Sequence, residues 1–313
     1  MIETIAKYIT KSTALILVCA ILLAVVFQDV AKMIHPYITY LLIFVLWLGF
    51  LVSDFSVVKK EITGWKYHCY LLFLGMIVAP VCSYYFALLL SHLLGVGSSF
   101  AATILLVIAA PTAMVSPILC MLLGGVLERA QLNVILTTIV VIVSMPLLCY
   151  LLLGKAVSID VKTLGSFLMI VIMIPLVAAI FVRRVAPGVV KKIGGFVPSA
   201  SVLLLAVIIF ASAEKIRSLI ISYPNIIFHA FLLAALCYLF VFALGWVLAF
   251  KKERAAKITS ALVTSWTNMS LAIMLVDRFL RYYHPQAMLY VLIFAIVWAL
   301  ALIPTRILLV KRS

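Results

Sequence analysis

Apolar residues run along this chain in long blocks, separated by short polar stretches rich in Lys and Arg. Ten blocks are long enough to read as membrane spans: Ser12–Phe27, Pro36–Val52, Tyr70–Leu90, Ala101–Leu123, Leu132–Leu153, Leu164–Val182, Val197–Ala213, Ile226–Phe250, Ile258–Leu280 and Met288–Val310. A span needs roughly 20 apolar residues, and the first two blocks are short by that measure. Backbone polar groups must pair internally in hydrocarbon, so the blocks predict helices.

Two blocks carry interruptions that a plain membrane helix does not need. The fourth reads AATILLVIAAPTAMVSPILCMLLGG, with Pro111 and Pro117 deep inside it. Each proline removes a helix hydrogen bond and crowds the preceding turn. Ser116-Pro117 also reads as a helix start, with Ser as N-cap and Pro as first helical residue. The pattern predicts two half-helices joined by an extended link near Pro111–Ser116; a packed proline kink is the other reading. Gly124 and Gly125 suit the end of the second half. The ninth block reads ITSALVTSWTNMSLAIMLVDRF and gathers Thr264, Ser265, Thr267, Asn268 and Ser270 at its middle. Isolated Ser and Thr in such helices bond back to the backbone or join helices. This cluster exceeds that need, and Asn268 is placed to cap a second half-helix. In the fifth block Asn133 and Thr137 are four residues apart and share a face. The candidate pocket is therefore Ser116, Pro117, Asn133, Thr137, Thr264, Ser265, Thr267 and Asn268, the alternative being an interhelical seam.

Composition sharpens this picture. Of 313 residues, 67% are hydrophobic and 11% charged, with a mean hydropathy of +1.34. Soluble chains are roughly 45–50% apolar and about 25% charged, so lipid is the solvent that fits. The net charge of +15 belongs to the loops and sets orientation rather than marking a nucleic-acid partner. The termini and even-numbered loops hold 17 Lys and Arg against 7 in the odd-numbered loops. That asymmetry predicts ten spans in the cell (inner) membrane with both termini cytoplasmic. Lys7 and Lys11 before the first apolar block resemble a signal peptide, but more blocks follow, so the block reads as the first helix. Ten spans divide into two five-helix halves, about 12–153 and 164–310, of opposite orientation: an inverted repeat in one membrane domain. Ser116 and Asn268 are 152 residues apart, close to half the chain. The fold class expected is all-α, with helices 4 and 9 broken. The six cysteines lie in or beside apolar blocks without CxxC spacing and indicate no disulfide framework or metal site.

Three stretches resemble the bile acid:sodium symporter family, within the superfamily that includes arsenite and auxin-type carriers. They are LWLGFLVSDFSVVKKEITGW (Leu46–Trp65), AAPTAMVSPILCMLLGG (Ala109–Gly125) followed by a fifth helix ending near Ser144-Met145-Pro146, and TNMSLAIML (Thr267–Leu275). The resemblance implies two inverted five-helix repeats whose broken helices 4 and 9 cross near the substrate and sodium sites. It places the family's helix-4 serine on Ser116 and the following asparagine on Pro117, where that ligand is absent. The helix-5 Ser and Thr ligands fall on Asn133 and Thr137, and the helix-9 Gln-Asn pair on Thr267 and Asn268. The family's glutamate four residues before that pair falls on Val263, and a helix-3 glutamine falls near Gly75.

The function expected is a secondary transporter of a small organic anion, such as a sterol acid or keto acid. No cofactor is expected beyond sodium as a coupling ion, at a weak site of Ser116, Asn133, Thr137 and Asn268. Without the carboxylate, sodium loses electrostatic attraction, so dependence on it is expected to be weak or absent. The alternative is a carrier-like receptor that does not transport. An enzyme is disfavoured: the nine acidic residues form no paired motif, and neither HExxH nor GxSxG occurs.

Overall fold

The computed structural model describes residues 12–53, 55–57, 61, 64–154, 159–224, 226–249 and 252–309. The basic positions Lys7, Lys11, Lys59, Lys60, Lys155, Lys251, Lys311 and Arg312, Asp54, and the span ends Phe250 and Val310, lie outside the described residues. Among the described residues regular structure is helical. In chain order these are α1 (Thr13–Val26), α2 (Gln28–Val52), α3 (Trp65–Leu93), α4 (Ser99–Ala109), α5 (Ser116–Leu123), α6 (Leu127–Leu153) and α7 (Val161–Val185). They continue as α8 (Pro187–Ile193), α9 (Val197–Ser212), α10 (Ile216–Ser222), α11 (Ile226–Leu248), α12 (Arg254–Ser265), α13 (Met269–Leu275, prolonged by a π-helical turn Val276–Leu280) and α14 (Gln286–Leu309).

Six of these, α2, α3, α6, α7, α11 and α14, are long and apolar enough to cross a membrane. The pair α8 and α9 is bent by 70° at its break and passes the same test together. The chain is thus a multi-pass membrane protein. Large apolar side chains such as Tyr85, Leu89, Val143, Leu147 and Phe181 stand exposed on these helices, where lipid rather than water receives them. The second and third spans start earlier than hydropathy suggested, at Gln28 and Trp65. In each case a turn carrying charge or aromatic residues extends the apolar run. The fifth span starts earlier than its block suggested, at Leu127, and runs through Pro146 to the expected end at Leu153. The third contains a π-helical segment, Leu74–Val78, just before Pro80. A proline there offers no N–H to the preceding turn, and a wider turn accommodates its ring.

Packing divides the described helices into two compact units, each drawn from two stretches of the chain. One unit comprises residues up to Ser53 and Ser166–Pro224. Here α9 packs on α1 and α2, and α10 on α1. The Arg183 guanidinium donates to the carbonyls of Phe50, Leu51 and Ser53, closing the C-terminal end of α2 where carbonyls lack helical partners. The other unit comprises Asp54–Gly165 and Asn225–Ser313. Its centre is α4, buried along its whole length, with α3, α6 and α14 packed on it. The helix α11 packs on α3, α12 and α14. At its crossing with α12 a Cβ on Gly245 would stand 2.8 Å from Ala261 Cα and 2.9 Å from the Ser260 carbonyl oxygen, so only glycine permits this approach.

Candidate functional site

The site lies inside the second unit, where two helices break. The run that begins as α4 stops at Ala109, and α5 starts at Ser116. The run that begins as α12 stops at Ser265, and α13 starts at Met269. The two non-helical links pair with each other as a single antiparallel bridge between Thr112 and Thr267. Ala113 N donates to the Trp266 carbonyl at 2.7 Å, and Asn268 N donates to the Pro111 carbonyl at 2.7 Å. Each link thus supplies backbone partners that the other lost on leaving the helix. This satisfies two buried breaks, where unpaired backbone groups cost several kcal/mol.

The candidate residues fall into two groups. Ser116, Asn133, Thr137, Thr267 and Asn268 meet at the crossing, and all are buried. Ser116 is the first helical residue of α5 rather than its cap. Its N–H already closes a turn onto the Ala113 carbonyl, and its hydroxyl donates to the Trp266 carbonyl at 3.3 Å. Pro117 occupies the first turn of α5, where its missing N–H costs nothing. Asn268 caps α13, its Oδ1 accepting from Leu271 N at 3.2 Å. Gly124, at φ 84°, ends α5. Thr137 Oγ1 donates to the Asn133 carbonyl at 2.8 Å and accepts from Thr112 N at 3.1 Å. Thr264 and Ser265 are not bonded into the crossing in this way: their hydroxyls donate to the carbonyls of Ser260 and Ala261 one turn back on α12. A Cβ on Gly245 would stand 3.1 Å from Thr264 Oγ1, so Thr264 belongs to the packing against α11.

Sequence reasoning missed Thr112, the residue at the centre. Its side chain is 2% exposed. Its Oγ1 lies 2.7 Å from Asn133 Oδ1 and 2.8 Å from the Val263 carbonyl oxygen. One hydroxyl has one proton and cannot donate to both. Asn133 Nδ2, meanwhile, is buried without a partner. Turning the Asn133 amide end for end resolves both facts: Nδ2 donates to Thr112 Oγ1, which donates to the Val263 carbonyl. The unpartnered groups are then the Asn133 side-chain oxygen Oδ1 and the buried Thr267 hydroxyl. Two further residues brace the second link. Trp266 Nε1 donates to Tyr238 Oη at 2.9 Å, and the Trp266 ring lies 4.4 Å from that of Trp298. An indole beside a polar cluster was a visible signal; the Val263 carbonyl, a backbone atom, was not.

The donor set bears on sodium, a hard cation that needs several converging oxygens, by analogy with calcium and magnesium. The Thr137 hydroxyl oxygen and Asn268 Oδ1 each already accept a backbone N–H, and the Ser116 hydroxyl donates to the Trp266 carbonyl. The position between Asn133 and the Val263 carbonyl is filled by the Thr112 hydroxyl. The Val263 side chain brings no charge, and the backbone at Gly75 faces open space where a Cβ would stand. As arranged, these residues do not fit a sodium ion.

No curated protein matches the chain. The family model described as the Sodium Bile acid symporter family matches residues 39–223, a stretch that includes the first link, Asn133 and Thr137. Matched over more than half of its length, and built of apolar helices suited to membrane transport, the chain belongs to the Sodium Bile acid symporter family.

Proposed function

We propose that this protein is a secondary transporter that carries a small organic anion, a sterol acid, keto acid or similar carboxylate, by alternating access. The observation that supports the reading most is the crossing of two broken helices in a buried setting. It presents neutral polar atoms without partners, one side-chain atom of the Asn133 amide and the Thr267 hydroxyl, where a polar substrate group can be received. Half-helices meeting in the membrane interior are how many secondary carriers build substrate sites. In this reading Ser116, Pro117, Asn133, Thr137, Thr264, Ser265, Thr267 and Asn268 line or support the site.

The topology that goes with this function is ten spans with both termini cytoplasmic in the cell membrane, as two inverted five-helix repeats. Counting α1, α4 with α5, α8 with α9, and α12 with α13 as one crossing each, beside the six long helices, supports that number. The basic asymmetry of the loops supports the orientation. The test is flux. Purified protein in liposomes is expected to accumulate one member of a panel of labelled carboxylates, with saturation and competition by unlabelled substrate. Binding without flux would turn the reading to a receptor.

A further inference from the structure

We infer that the Thr112 hydroxyl stands where a cation would otherwise join the two links, so that the helix crossing closes without sodium. The inference concerns the ion alone and needs no identified substrate.

The argument starts from the end of α12. A helix that stops in the membrane interior leaves its last carbonyls unpaired and carries partial negative charge there. Such an end attracts a cation. In this protein the donors come from the first link instead. Thr112 Oγ1 lies 2.8 Å from the Val263 carbonyl oxygen, and the Trp266 carbonyl receives Ala113 N at 2.7 Å and the Ser116 hydroxyl at 3.3 Å. The same Thr112 reaches α6 twice, through Oγ1 to the Asn133 amide at 2.7 Å and through its N–H to Thr137 Oγ1 at 3.1 Å. One residue therefore ties together the three elements that an ion between them would have to join: the first link, α6 and the end of α12. It does so with neutral hydrogen bonds, in surroundings where the side chain at position 263 is valine. Without a carboxylate nearby a cation is held there only by neutral oxygens and weakly; a hydroxyl hydrogen bond needs no counter-charge. An arriving ion has to displace Thr112 Oγ1, and with it the bond to Asn133.

Thr112 is thus a positioning residue for the crossing, and its test is ion-specific stability of the full chain in lipid nanodiscs. Melting is followed in NaCl, KCl and choline chloride at equal ionic strength. The wild type is expected to melt at the same temperature in all three. Thr112→Val, which keeps the shape and removes the hydroxyl, is expected to melt about 3–6 °C lower in every salt. Thr112→Ser, which keeps the hydroxyl, should lose about half of that or less. Thr112→Gly removes the hydroxyl and the carbons behind it. It should become sodium-responsive, melting about 2 °C higher in NaCl than in KCl, with a saturable dependence. A brace without any link to an ion would not produce that difference. Saturable sodium-specific stabilisation of the wild type overturns the inference. So does a Thr112→Val protein as stable as wild type, or a Thr112→Gly protein indifferent to the salt. If the valine variant cannot be purified, the wild-type comparison decides. None of these outcomes depends on transport, so the carrier reading stands or falls separately, on flux.

Discussion

The two helix breaks differ in what makes them break. The first, from Ala110 to Val115, has a proline at Pro111 and another just beyond it at Pro117. Each removes a helix N–H and crowds the preceding turn, and no side chain caps the start of α5. The second, from Trp266 to Asn268, is half as long and contains no proline. It is held by what surrounds it: the Asn268 cap, the Trp266 ring on Trp298, the indole bond to Tyr238, and the backbone of the first link. The first break has a cause in its own sequence as well as tertiary bonds through Thr112 and Ala113; the second has tertiary bonds and its cap alone. Residues at the second should therefore cost more when truncated, because they supply the conformation as well as the contact.

Trp266→Ala is expected to show this most strongly. It removes the tilted ring contact with Trp298, the bond to Tyr238 and a large buried side chain, for a loss of about 3–5 kcal/mol. Met114→Ala, in the first link and only half-buried, should lose less than half as much. Equal losses in thermal or denaturant unfolding of the two purified variants would erase the contrast.

The next effect concerns the helix that carries the second break. Gly245→Ala pushes a methyl into the α12 backbone at 2.8 Å from Ala261 Cα. Overpacking of this kind costs about 1–3 kcal/mol and shifts α12, whose end forms the crossing. Gly75→Ala is the control, since nothing lies within 4 Å of its added Cβ and alanine is the better helix former. It should be neutral or slightly stabilising. A tolerant Gly245→Ala would show that α11 does not fix α12.

This contrast also explains what could be read from sequence. The first break was legible because proline acts on its own backbone, and Ser116 and Pro117 were visible as a helix start. The oxygen cluster of the ninth block was legible as an excess over packing needs, and Asn268 takes the capping place foreseen for it. Thr112 was not legible. A threonine beside a proline reads as link material, and its partners are a backbone carbonyl 151 positions away and an asparagine 21 positions away. Thr264 and Ser265 read like their neighbours but bond back one turn, a choice set by which way each position faces. The grouping of helices into two interleaved units depends on which apolar faces meet, and nearly uniform hydrophobicity leaves no stripe to show it.

Asn268→Ala tests the second break at its cap. Losing a side-chain cap costs about 0.5–2 kcal/mol, and here the orphaned Leu271 N–H is buried. Ser116→Ala, at the corresponding place in the first break, gives up one 3.3 Å bond to a carbonyl that Ala113 N still satisfies. Its loss should be the smaller. If Ser116→Ala proves the more costly, the Ser116 bond to Trp266 matters more to the crossing than the Asn268 cap.

The smallest effect separates a buried cap from an exposed one. Asn268 is neutral and buried, whereas Asp160, ahead of α7, is fully exposed. Its carboxylate accepts from the N–H groups of Lys162 and Thr163, at 3.2 and 3.1 Å, and from the Thr163 hydroxyl. These bonds favour the ionised form, with the Thr163 hydroxyl first among them, and hold the Asp160 pKa below its ordinary value of 3.8. Because the folded pKa is the lower one, the carboxylate's contribution is present above the unfolded pKa. It is lost as pH falls through the folded value. Asp160→Asn keeps a capping carbonyl and removes the charge. The variant should melt slightly below wild type at neutral pH, and the gap should close as the medium is acidified below the ordinary aspartate range. High salt should also narrow it, since exposed charges are screened. A gap that persists at acid pH would assign the effect to amide geometry rather than charge, and the difference between the two caps would then be burial alone.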